Sequence, residues 1–111
     1  MNNSEICKRL AKIEGLRVSK DVKPKCGGAY ASAHTDKPYG SYKVYNPLTD
    51  DALCFQLIER HDVEFNFYHT AKGFKWYYGG FMRDGKVIML PETIDLKRFV
   101  CLYVIELKKG K

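Results

Sequence analysis

The stretch "YNPLTDDALCFQLIERHDVEFNFYH", residues 45–69, decides the fold, because the chain passes from helix to strand within it. Asn46–Pro47 punctuates the chain, and Thr49 is a natural helix N-cap. Asp50 and Asp51 then fall in the first turn, where the helix dipole favours negative charge by about 0.3–1 kcal/mol each. Leu53, Cys54, Leu57 and Ile58 supply a broad apolar face, and Arg60 and His61 close the last turn, where positive charge is preferred. The period then changes to two. Val63, Phe65 and Phe67 point one way, and Glu64, Asn66 and Tyr68 the other, as in a half-buried strand. The paired aspartates therefore read as a helix start; as general acid and base they would need a partner, and none is evident.

Downstream, "TAKG" (70–73) is a hairpin turn and "FKWYYGG" (74–80) continues the alternation. "RDG" (83–85) makes a second tight turn, and "KVIML" (86–90) gives a third strand ended by Pro91. Asp95 caps the last helix, with Ile94 and Phe99 at the two positions of a hydrophobic staple. Phe99, Val100, Tyr103, Val104 and Leu107 form its buried stripe, and Lys108, Lys109 and Lys111 complement the dipole at its end.

Upstream, Ser4 is a fair N-cap for a first helix carrying Ile6, Leu10 and Ile13 on one face. Gly15 stops it, and Leu16 packs back on the last turn. Residues 17–47 carry Pro24, Pro38, Pro47 and the Gly27–Gly28 pair with little periodicity; short strands are expected near Ala29–Ala33 and Ser41–Tyr45. The expected class is α+β: a layered α-β-α sandwich in which a three-stranded antiparallel meander is flanked by helices. All 111 residues form one domain, with 17–47 a long basic Tyr/Gly/Pro-containing segment and 48–111 a helix–meander–helix scaffold.

Residues 44–107 resemble the phage ABA-sandwich domain, a family of small bacteriophage proteins. The resemblance is carried by "YNPLTDDALCFQLIERHDVEFNFY", the aromatic strand "GFKWYY" and the closing helix "DLKRFVCLYVIEL". It covers over half the chain and is a pattern of caps and core positions rather than a catalytic signature. Phe99 and Tyr103 are bulkier than that pattern, and the basic insert before residue 44 is distinctive. The resemblance implies a phage or prophage origin and a sandwich fold, and it implies no activity.

Composition is globular, with 45% hydrophobic, 14% aromatic and 29% charged residues. No apolar run reaches the ~20 residues of a membrane span, and "MNNSEICKRL" lacks a signal peptide's apolar core. The expected location is the cytoplasm of a bacterial host, away from the membrane. Cys7, Cys54 and Cys101 read as buried reduced thiols, and Cys26 as a loop cysteine. His34, His61 and His69 lack zinc-ligand spacing, and no phosphate-loop motif occurs, so no metal or cofactor is expected. Cys26 with His34 is the one pair that could serve nucleophilic catalysis, and a loop pair without contact is the simpler reading, so no enzyme is expected.

The net charge of +6 is uneven. Residues 1–48 hold nine Lys/Arg against four Asp/Glu, giving +5, and residues 49–111 hold ten against nine, giving +1. Arg17, Lys20, Lys23, Lys25, Lys37 and Lys43 are interleaved with Tyr30, Tyr39, Tyr42 and Tyr45, and these ten are the candidate binding residues. Such a segment suits recognition of a host protein, with tyrosines giving contact area at low entropic cost. The alternative is nucleic acid or a nucleotide, held by cations on phosphates and rings on bases. The helix–three strands–helix order resembles double-stranded-RNA-binding domains, but only Lys97–Arg98 stands where they carry a lysine cluster. The sequence leaves the oligomeric state open.

Overall fold

A computed structural model describes residues 2–19, 27–32 and 42–109 of the chain. Helix α1 spans Asn3–Ile13 and is capped by Asn2 rather than Ser4, the Asn2 side chain accepting from the Glu5 N–H. It ends as expected. Gly15 takes φ +76°, its N–H donates to the Lys12 carbonyl, and the Leu16 N–H reaches back to the Ala11 carbonyl at 2.8 Å. That pair of bonds is a Schellman close, which glycine makes without steric cost.

Strands β1 (Arg17–Val18), β2 (Ala29–Ser32) and β3 (Lys43–Tyr45) follow and form one antiparallel sheet in that order. The last two are the short strands expected from sequence, and β1 was not foreseen. The register pairs Arg17 with Ser32 and Tyr30 with Val44. Ala29 and Ala31 are buried on the face toward α1; their small side chains let the helix lie close to β2.

Helix α2 spans Asp51–His61, and its N-cap is Asp50, not Thr49. The Asp50 carboxylate accepts from the Ala52 and Leu53 N–H groups at 2.9 and 3.3 Å. Strands β4 (Asn66–His69) and β5 (Lys75–Tyr78) then form one hairpin, and β6 (Gly80–Arg83) and β7 (Lys86–Met89) a second. The two run in series through Gly79, and a bridge between Tyr77 and Thr93 ties the chain after β7 back to β5. In place of the expected three-stranded sheet, the meander consists of these two two-stranded hairpins, joined at Gly79. Asp84 and Gly85, both with positive φ, make the second turn.

Helix α3 spans Leu96–Lys108, with Asp95 as the foreseen N-cap. It buries Phe99, Val100, Cys101, Tyr103, Val104 and Ile105, a wider arc than the expected stripe. The reason is its position: α1, α2 and β5 all pack against it. Edge-on ring contacts join Phe65 to Phe99 and Phe81 to Tyr103. Among the described residues α3 contacts β5, and α1 contacts both α3 and the first sheet. The class is α+β, with α3 in contact with both other helices and with β5.

Cys7, Cys54 and Cys101 are buried free thiols, as read from sequence; Cys26 lies outside the described residues. No helix among the described residues is long and apolar enough to cross a membrane.

Candidate functional site: an apolar groove beside helix α2

Helix α2 is apolar over a wider arc than its packing uses. Cys54 and Leu57 are buried, but Phe55 is 64% exposed and Ile58 is only half-buried beside it. These surplus residues face the start of α3. Ile94, expected to staple α3, is instead 56% exposed, while Phe99 is fully enclosed. Between Phe55 and Ile94 lies a groove of about 720 Å³ whose floor and walls include Cys54, Ile58, Phe65, Tyr77 and Leu96. Phe67 extends the apolar rim on the same face of the sheet, 6.4 Å from Tyr77 by ring centroids, and the Lys75 ammonium caps it at 3.8 Å.

The polar members are few and placed at one end. Lys97 Nζ lies 2.6 Å from an Asp51 carboxylate oxygen, tying the start of α3 to the start of α2. That carboxylate raises the Lys97 pKa above its ordinary value, so the ammonium persists. Burial pushes the Cys54 thiol up, outweighing the opposing pull of Lys97. Cys54 therefore sits in the wall as a protonated, poorly nucleophilic group. What the groove can do is receive an apolar side chain and orient it against a charged pair; enclosing one leucine or phenylalanine contributes roughly 1.5–3 kcal/mol.

The candidate residues read from sequence are distributed differently. Arg17 and Lys43 are exposed, but the register sets them on opposite faces of the first sheet, because their partners Ser32 and Ala31 are neighbours along β2. Tyr30 and Tyr42 are half-buried. Tyr45 is corrected: it is 7% exposed and belongs to the core, and burial together with the Glu14 carboxylate pushes its phenol above the usual range. Lys20, Lys23, Lys25, Lys37 and Tyr39 lie outside the described residues, as does the Cys26–His34 pair. Among the described residues no three His, Cys, Asp or Glu side chains gather as a metal site.

The groove was missed in the sequence because Phe55 lies outside the face read from Leu53, Cys54, Leu57 and Ile58, and Ile94 falls within a staple pattern, which normally buries. The available signal was surplus: α2 carries more apolar positions than one packing face needs. No protein-family profile matches the chain, and searches of curated proteins and of solved structures return no match.

Proposed function

We propose that the chain is a non-enzymatic binding protein that holds a partner protein by taking an apolar side chain into the groove between α2 and the start of α3. The observation that carries this reading is the placement of two exposed large apolar residues, Phe55 and Ile94, on the walls of one concavity, with exposed Phe67 paired across the hairpin with its lining residue Tyr77. Buried apolar anchors of this kind supply most of the energy of protein interfaces. The formal charge of +6 favours a partner with an acidic surface, through faster encounter rather than tighter contact. The setting we infer, a phage product that inhibits a host protein in the bacterial cytoplasm and shares the α-β-α layering of its family, rests on the resemblance of residues 44–107 alone.

Capture from nuclease-treated bacterial extract tests this, using immobilised wild type beside Phe55→Asp and Ile94→Asp chains. A protein retained by the wild type, lost by both variants and bound again after purification supports the groove. Retention indifferent to both substitutions removes it.

The second reading, nucleic-acid binding, draws on Lys8 and Lys12, which line a concavity of about 480 Å³ where α1 meets β1, with Arg17 close by in sequence. Fluorescence anisotropy of labelled DNA and RNA, titrated at several salt concentrations, distinguishes the two. Binding that weakens log-linearly with salt would give the surface to phosphate.

A further inference from the structure

We propose, on the reading of the groove as the partner's site, that Lys75 sets its specificity: the segment entering the groove carries an acidic side chain beside its apolar anchor. The strand register places Lys75 for this. In β4 and β5 the pairs Phe67 with Tyr77 and His69 with Lys75 put these four side chains on one face of the hairpin. Tyr77 is also a lining residue of the groove. The apolar lining therefore continues along this face onto Phe67, 6.4 Å from Tyr77 by ring centroids, and reaches His69 and Lys75.

Rings rather than a carboxylate hold the Lys75 ammonium there. Its Nζ lies 3.8 Å from the Phe67 centroid and 5.6 Å from that of Tyr77. A ring face attracts the charge of an ammonium and leaves N–H donors over for a carboxylate. No acidic side chain comes from this face of either strand. The carboxylates that line the groove are engaged elsewhere: Asp51 holds Lys97 at 2.6 Å, and Asp95 accepts the Arg98 N–H at 3.2 Å. Arg60, Arg83, Lys97 and Lys109 each meet a carboxylate within 3.8 Å, whereas Lys75 meets none among the described residues.

The geometry sets a spacing too. An apolar side chain lying on Tyr77 and a carboxylate on the Lys75 ammonium are about 6 Å apart, the separation of residues two apart on a strand or one turn apart on a helix. Phe55 and Ile94 would accept any apolar anchor, so discrimination between segments that carry one falls to the charge beside it. A basic segment meets repulsion at Lys75, and an acidic one gains a charge-assisted hydrogen bond there. The formal charge of +6 acts in the same direction by speeding the encounter with an acidic segment.

Two pools of fluorescein-labelled peptides, each about ten residues long so as to extend past the groove at ~3.3 Å per residue, test the assignment. Both vary over leucine, isoleucine, phenylalanine and methionine at the centre. One carries a single glutamate near that centre and the other a single lysine, with serine and asparagine elsewhere. Fluorescence anisotropy with the full chain should show the glutamate pool binding roughly threefold or more tighter. Lys75→Glu should reverse the preference, and Lys75→Met, which keeps an apolar stem on Phe67, should abolish it. Lys12→Glu, an equal change in net charge, should leave it in place, and Phe55→Asp should lose both pools; circular dichroism checks that each variant is folded. Equal binding of the two pools, lost in Phe55→Asp, overturns the proposal and leaves the groove standing. A preference that Lys12→Glu moves as far as Lys75→Glu also overturns it and gives the selection to net charge. Binding that Phe55→Asp leaves unchanged, or no binding of either pool, overturns it together with the groove.

Discussion

Glu14, just beyond the last turn of α1, holds the far end of α2 in place. Its Oε2 lies 3.3 Å from His61 Nε2, and its Oε1 lies 3.5 Å from Arg60 Nη1. Glu14 and His61 side chains are about nine-tenths buried, whereas that of Arg60 is 58% exposed, so the two contacts differ in worth. Glu14→Ala leaves His61 enclosed without its partner and should cost about 1–3 kcal/mol in urea unfolding. Arg60→Ala should cost less than about 1 kcal/mol, since solvent screens its pairing. The buried thiols and phenol set a pH dependence as well. Burial pushes the Cys7 thiol from 9.0 up to about 11, against a weaker hydrogen bond from Leu48 that lowers it. Between these values the unfolded chain loses a proton that the folded chain keeps, so stability is full below pH 9 and falls as pH rises toward 11. Cys101, Cys54 and Tyr45 are raised too and act in the same direction. Urea midpoints should therefore drop steeply above pH 9, by up to about 1.4 kcal/mol per pH unit for each group, and Cys7→Ala should flatten the slope. A flat profile would mean that these groups are hydrated in the fold.

Helix α2 shows how the element scale is written into single caps. Asp50 satisfies two backbone N–H groups, while the Thr49 hydroxyl turns back to the Asn46 carbonyl at 3.4 Å. Asp50→Ala should then cost about 1 kcal/mol in thermal or urea unfolding and Thr49→Ala only a few tenths. Equal costs would return the cap to Thr49. The same comparison locates the limits of sequence reading. Thr49 and Asp50 are both good caps one residue apart, and only the backbone turn at Asn46–Pro47 chooses between them. The strands of the meander were legible because alternation, two tight turns and Pro91 agree over residues 66–91, though they form two hairpins rather than the one three-stranded sheet expected. Its division at Gly79 was not, since Gly79–Gly80 reads equally well as part of a strand. Strand β1 was hidden because two residues carry no period. Of the site, the basic residues were visible as composition, but Tyr45 shows why composition misleads: its position in the ladder, not its type, turns it inward. Ile94 failed in the opposite sense, apolar in pattern and exposed in fact, and Phe55 stood outside the face read from sequence.

At the scale of the molecule, α3 organises everything else. It is buried by α1, α2 and the meander together, so the two apolar surfaces left over fall on the groove beside α2 and on the outward face of the sheet. A chain that satisfied its own hydrophobic needs would not keep Phe55, Phe67, Ile94, Met82, Val87 and Met89 all more than two-fifths exposed. Of these surfaces, the groove is the one the proposed association would use as its site. The most direct measurement is competition at that site. Partner protein captured from nuclease-treated bacterial extract and then purified is titrated, by calorimetry, against wild type, Phe55→Asp and the distant control Lys12→Glu. The account predicts that Phe55→Asp weakens binding by about tenfold to a hundredfold, as for loss of one buried aromatic anchor, while Lys12→Glu changes it far less. Equal affinity of Phe55→Asp and wild type, or binding that only Lys12→Glu removes, would contradict it.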